Sequence, residues 1–158
     1  MKSKKVWLTC GVPGSGKSTW VQEQIAAEDG VWCSRDKVRF SLLQSGDDYF
    51  AKEDLVLSTW LKNIQTALDD AEGPTNIFVD ATHLNPKARK KVISQLNLEN
   101  ADITAVNFLI SLDTCLERNE QRSGRALVPR SVIRRMFYSF EPAAADEGFD
   151  EIITITDE

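Results

Sequence analysis

The stretch Gly11-Val12-Pro13-Gly14-Ser15-Gly16-Lys17-Ser18 follows the pattern GxxxxGK[ST], and each fixed position has a chemical use. Gly11, Gly14 and Gly16 carry no side chain that would stop the backbone from wrapping around an anion. With Pro13 and Ser15 between them, their amides and the amino end of the following helix form a nest for phosphate oxygens. Lys17 supplies a cation for the β and γ phosphates, the Ser18 hydroxyl suits a magnesium ion, and Thr19 reaches toward the α phosphate. The pattern therefore points to ATP with Mg2+ and leaves open what receives the phosphoryl group. A glycine-rich turn beside a surface lysine would explain the string alone. It would not explain why an apolar run precedes it and a helical pattern follows.

Two further carboxylates fall where strands end. In Ser34-Arg35-Asp36-Lys37-Val38-Arg39, Asp36 can accept a proton from a hydroxyl nucleophile. Arg39, one helical turn on, can hold an anionic part of the acceptor, while Arg35 reads as a surface or structural residue. Asp36 as a first-turn helix charge, with Arg39 solvated, fits equally well by position. Asp80 follows Ile77-Phe78-Val79 and can bond the Ser18 hydroxyl or a metal-bound water. Thr82 and His83 come next and are expected to line the acceptor pocket. His83 is the only histidine and has no second imidazole or cysteine nearby, which makes it a poor metal ligand. Arg118, Arg122 and Arg125 flank the Ser123-Gly124 break, where a short lid over about 118–130 can bring planar cationic forks onto ATP. A solvated helix end paired with Glu117 and Glu120 is the plainer alternative.

The elements that must position these groups alternate. Strands are expected at Val6–Cys10, Val31–Cys33, Thr75–Val79, Ile103–Ile110 and Glu151–Thr156. Between them lie helical patterns over Ser18–Glu28, from Ser34 to about Leu43, and over Lys52–Asp70, the last with a stripe of Leu57, Leu61, Ile64 and Leu68. Further helices are expected from Asn85-Pro86 to about Asn100, over Asp113–Arg122 and from Pro129 onward. Ser34 and Asn85 are natural caps, and Pro86 needs no donor at the first helical position. Strands alternating with helices favour a mostly parallel five-stranded sheet covered on both faces: an α/β, three-layer sandwich with a short helical lid. A chain of 158 residues fits one such domain, and it shows no repeat and no long linker.

The composition is 42% hydrophobic and 27% charged, with no apolar run long enough to span a membrane. The first residues read as a strand feeding the loop rather than as a targeting leader. Cys10, Cys33 and Cys115 match neither a disulfide framework nor a zinc site, so cytoplasmic residence is expected. A net charge of -5 argues against a general coat for nucleic acid, but not against a nucleic-acid end held by a few arginines.

The ordered set LTCGVPGSGKSTW, SRDKVR, FVDATHLNPKARKK and RNEQRSGRALVPRSVIRRM resembles the kinase domain of phage-type polynucleotide 5′-hydroxyl kinases, within the wider P-loop kinase superfamily. The resemblance covers nearly the whole chain. It implies an ATP- and Mg2+-dependent kinase acting on 5′ ends of DNA or RNA. It further implies that Asp36 activates the 5′-hydroxyl, Arg39 binds the phosphate on the 3′ side of the acceptor nucleotide, Arg122 reaches ATP from a lid, and Asp80 supports loop and metal. Two departures stand out. The segment Ser123-Gly124-Arg125-Ala126-Leu127 differs slightly in length, which leaves the role of Arg125 open. The DxDxT phosphatase motif of the familiar phage enzyme is also missing, so kinase activity alone is expected. Two other functions fit the residues: a kinase of a small hydroxyl compound such as a nucleoside, and a non-catalytic ATP-dependent switch. Nothing in the sequence points to an obligate protein partner.

Overall fold

The computed structural model describes residues 4–157, without the side chain of Arg125. Its strands are β1 (Lys4–Cys10), β2 (Val31–Ser34), β3 (Thr75–Asp80), β4 (Ala101–Leu109) and β5 (Glu151–Thr156). Its helices are α1 (Lys17–Glu28), α2 (Arg35–Leu42), α3 (Glu53–Asp70), α4 (Pro86–Ile93), α5 (Leu112–Glu120) and α6 (Arg130–Ser139). The strands form one sheet in the order β2-β3-β1-β4-β5, and every pairing is parallel. Parallel neighbours place all the carboxyl ends along one edge, which is where a doubly wound sheet binds its ligands.

Alternation of side chains builds two cores. Val6, Leu8 and Cys10 face one way with Ile77, Val79 and Ala105, and α3 covers them with Trp60, Ile64 and Leu68. Trp7, Val106, Phe108 and Ile153 face the other way, against Trp20 of α1, Cys115 and Leu116 of α5, and Ile133 of α6. That is the period-two pattern of strands buried on both faces. Both expected caps form: Ser34 Oγ accepts from the Lys37 amide, and Asn85 Oδ1 accepts from the Ala88 amide at 2.8 Å.

Several boundaries differ from the sequence expectation. The stripe of α3 is Val56, Trp60, Ile64 and Leu68, while Leu57 and Leu61 are only half-buried. The Trp60 indole reaches across to donate to the Cys33 carbonyl at 2.8 Å, so the largest side chain of the helix occupies its inner face. Helix α4 stops at Ile93 instead of near Asn100. There the Asn97 amide donates to Gln65, the Glu99 amide donates to Asn97 Oδ1, and Asn100 takes a left-handed φ of 60°. These local bonds replace helical ones, and β4 begins two residues early, at Ala101 paired with Lys4. Helix α5 ends at Glu120 rather than Arg122. Cys10, Cys33 and Cys115 are all buried with free thiols, and burial pushes Cys10 up to about 12. Among the described residues no helix is long and apolar enough to cross a membrane.

A buried ion pair closes the fold behind the sheet edge. Arg89, 1% exposed, donates from Nε and Nη2 to both oxygens of Glu147 at 2.7 and 2.9 Å, and from Nη1 to the His83 carbonyl. His83 is thus held inside, not in a pocket wall: its Nδ1 lies 2.6 Å from the Thr9 carbonyl and its ring lies against Trp60. Since that carbonyl can only accept, Nδ1 carries the proton in the neutral ring. Burial pushes His83 down to about 4, against the opposing pull of the Thr9 carbonyl. The unfolded chain would take up this proton near pH 6.5 and the folded chain only near 4. Stability is therefore full above the first value and falls as pH drops through the interval. Urea unfolding should show a loss of roughly 2 kcal/mol between about pH 7.5 and about pH 5. His83→Asn, which keeps a donor for Thr9, should lose clearly less over the same interval. An equal loss in both proteins would place the acid sensitivity elsewhere.

Candidate active site

The loop after β1 turns through Gly14 and Gly16, with φ of 82° and 94°, and α1 begins at Lys17. A Cβ on Gly14 would stand 2.4 Å from the Cys115 carbonyl oxygen, so the loop lies directly against the start of α5 and only glycine fits. The Gly11 amide donates to the Thr82 carbonyl at 2.9 Å, tying the loop to the end of β3. Lys17 is buried and its Nζ donates to the Val12 carbonyl at 2.8 Å. Burial lowers its pKa, and the Asp80 carboxylate opposes that shift; Arg122 and Asp36 also act on its charge. The Ser15 hydroxyl is buried with no hydrogen-bond partner among the described residues.

Asp80, at the end of β3 and 5% exposed, accepts three hydrogen bonds. Thr9 Oγ1 donates to Oδ1 at 3.0 Å, while Ser18 Oγ at 3.1 Å and Trp32 Nε1 at 3.0 Å both donate to Oδ2. A small hard cation that keeps most of its water and phosphate ligands needs one hydroxyl and one carboxylate of this kind. Ser18 and Asp80 therefore fit Mg2+, which would be completed by phosphate and water oxygens.

On the acceptor side, β2 pairs with β3 so that Ser34 stands beside Asp80, and α2 starts immediately after it. Asp36 leaves 56% of its side chain exposed and accepts from the Tyr49 hydroxyl at 2.9 Å and from Arg39 Nη1. Arg39 is buried beneath it. Its Nε and Nη2 donate to the two oxygens of Glu53 at 2.7 and 3.1 Å, and its Nη1 also donates to Tyr49 at 2.8 Å. Arg35 adds a bond to Glu53 at 3.2 Å and stacks over Trp60, so it belongs to this cluster rather than to the outer surface. Burial would raise the Glu53 pKa, but the hydrogen bonds and charges of Arg39 and Arg35 together outweigh it and hold the carboxyl below its ordinary value. Among the described residues, four of the five N–H groups of Arg39 are engaged, which leaves one.

The arginines of α5 approach from the opposite side. Arg118 Nη1 lies 3.0 Å from where a Cβ of Gly16 would stand, which puts its guanidinium over the loop. Arg122 follows the helix end. Asn119 brackets the Val128 backbone, accepting from its amide at 3.0 Å and donating to its carbonyl at 2.6 Å. This bracket fixes the far end of the 118–130 segment, which makes a short 3-10 turn over Gly124–Ala126. The Arg125 side chain lies outside the described residues.

One cleft of about 760 Å³ joins these parts. Pro13, Gly14, Gly16, Lys17, Ser18, Asp36, Arg39, Asp80, Thr82 and Arg122 border it. Gly11, Ser15, Thr19 and Arg118 are not among the residues that border it, and His83 is turned away from the cleft. The sequence reading missed Trp32, Tyr49, Glu53 and Asn119. Their partners are distant in the chain or on another element. Only the i, i+3 spacing of Asp36 and Arg39 hinted that arginine and carboxylate would meet directly.

Solved structures with this fold are distantly related in sequence. A fungal RNA kinase aligns over 100% of this chain and 78% of its own, with 15% identity and a TM-score of 0.64. The Pnkp1/Rnl/Hen1 RNA repair complex contains a chain matched over 88% of this one and 44% of its own, at 21% identity and a TM-score of 0.71. A sugar kinase from Janibacter sp. covers 98% of this chain and 85% of its own, at 19% identity and a TM-score of 0.63. The family model described as AAA domain matches residues 6–143, so a P-loop after β1, the Asp80 carboxylate and the parallel sheet between them stand in a chain that belongs to the AAA domain family.

Proposed function

We propose that the chain is an ATP-dependent polynucleotide 5′-hydroxyl kinase. The observation that carries the reading is the half-exposed Asp36 carboxylate, held from behind by Arg39 and Tyr49, in the same cleft as Lys17 and Arg122. A carboxylate so held is pre-organised to accept a proton from an acceptor hydroxyl. The ordered motifs that resemble polynucleotide kinases support nucleic acid as the acceptor, as does likeness to a fungal RNA kinase.

The reaction runs from these groups. The loop amides and Lys17, swung from the Val12 carbonyl, hold the β and γ phosphates. Ser18 and Asp80 would hold Mg2+, which would supply positive charge against the phosphates. The 5′ oxygen bonds to the γ phosphorus as the bond to the bridging oxygen breaks, its proton passes to Asp36, and ADP leaves. Arg122, with Arg118, stabilises charge on the transferring group. Because Arg39 spends most of its donors on carboxylates, its main work is to position Asp36, with its remaining N–H available to an acceptor phosphate.

That same observation favours a second reading, a kinase of a small neutral hydroxyl compound, since a largely engaged Arg39 asks little of an anionic acceptor. Transfer of labelled phosphate from ATP to hydroxyl-ended DNA and RNA oligonucleotides, beside nucleosides and sugars, separates the two. Preference for nucleosides or sugars would reject the polynucleotide reading, and no transfer to any acceptor would leave a nucleotide-dependent switch.

Two variants test the machinery. Lys17→Ala should abolish detectable transfer to every acceptor with the thermal midpoint nearly unchanged, because the ammonium is already desolvated and its loss uncovers no core. Near-normal transfer would remove the loop from the mechanism. Asp36→Asn keeps an oxygen for Arg39 and Tyr49 but loses the proton acceptor. Single-turnover rates should fall by about 10² or more while oligonucleotide affinity changes little. An unchanged rate would mean that another group takes the proton.

A further inference from the structure

Beyond α2 the chain turns at Ser45-Gly46, where Gly46 has a φ of 89°, and returns Tyr49 and Phe50 to the end of that helix. Tyr49 meets Phe40 edge-to-face with centroids 6.2 Å apart, and meets Phe50 edge-to-face at 4.7 Å. Both phenylalanines are open to solvent, Phe40 at 37% and Phe50 at 64%, and both border the cleft. A lone exposed aromatic ring carries little meaning, but contiguous exposed rings on a cleft rim mark a place where something apolar and flat is received.

This rim is tied to the acceptor machinery in two ways. Tyr49 donates its hydroxyl proton to Asp36 and accepts from Arg39, so the aromatic group is braced against the carboxylate. Phe40 lies four residues after Asp36 on α2, on the same helix face and about 6 Å further along the axis. A hydroxyl resting on Asp36 therefore brings whatever lies about one sugar ring away over the phenylalanines.

The polar capacity around Asp36 says what kind of group that is. Arg39 has one N–H left, and both Glu53 oxygens already accept from arginines. A polyhydroxylated acceptor needs a partner for each hydroxyl it buries, and apart from Lys37 and Thr82 this side of the cleft offers few. It offers ring faces instead.

We infer that Phe40, Tyr49 and Phe50 form a stacking platform for the terminal nucleobase of the acceptor, so that a 5′-hydroxyl is accepted as part of a nucleoside. The inference rests on the polynucleotide reading and deepens it. Because every base has a stacking face, recognition on this platform is tolerant of base identity. Leu127, 45% exposed and bordering the same cleft, is an apolar side chain that the lid segment contributes.

The test compares two hydroxyl-ended oligonucleotides that differ only at the first residue, which is either an ordinary nucleotide or an abasic one. In the wild-type protein the abasic acceptor should raise KM by about tenfold to a hundredfold, the usual worth of one stacked base. Phe50→Ala should lose at least about fivefold more on the base-bearing acceptor than on the abasic one, and Phe50→Trp should retain the difference. Phe50 is exposed, so its truncation should leave the thermal midpoint in place. Equal KM values for the two oligonucleotides in the wild type would overturn the platform while leaving the kinase reading standing. So would an equal loss on both in Phe50→Ala, since the ring would then only brace Tyr49. Transfer to neither, with transfer to a sugar instead, would remove the polynucleotide reading and the platform together.

Discussion

Three donors from three parts of the chain converge on one buried carboxylate. Thr9 lies in β1, Ser18 in the first turn of α1, and Trp32 in β2, yet all donate to Asp80 at the end of β3. A buried carboxylate left unpaired would cost several kcal/mol, so the four elements are held together by the need to satisfy it. The loop between β1 and α1 has little freedom once both its ends are fixed in this way. Its anion nest is therefore built before any ligand arrives, which is what a site acting by alignment requires.

The acceptor half follows a different rule. Arg35 and Arg39 meet Asp36 and Glu53, so the cluster is close to neutral and nearly self-satisfied. A buried ion pair contributes little net stability over an apolar one, and its value lies in fixing geometry. Here it fixes the orientation of Asp36 while Glu53 draws the Arg39 guanidinium downward, beneath the exposed carboxylate.

How far the sequence foretold this depends on the range of each interaction. The phosphate loop, the Ser34 and Asn85 caps and the order of strands and helices were legible because their causes lie within a few residues of one another. Asp80 was legible too, since a strand end points its last side chain to the carboxyl edge. His83 was misplaced for the opposite reason: its burial depends on Thr9 and Trp60, which no local pattern connects to it. The inner face of α3 was shifted because Trp60 can be buried only with a carbonyl for its indole, and that carbonyl belongs to Cys33. Tyr49 and Glu53 sit in or beside an irregular turn, where hydrophobic periodicity carries no information, and the bracket of Asn119 on Val128 closes a loop that periodicity cannot see.

The charge of the chain constrains how an acidic protein can hold an acidic polymer. With a net charge of -5, long-range attraction of the whole chain to a polyanion is weak. Arg35 and Arg39 are engaged by Asp36 and Glu53, and Arg118 of α5 lies over the phosphate loop. On the polynucleotide reading proposed above, short-range contact at the terminal nucleoside would add affinity, since a stacked base needs no net charge. The proposed aromatic rim, braced by the same tyrosine that bonds Asp36, would supply that contact and would couple recognition of the end to the position of its hydroxyl.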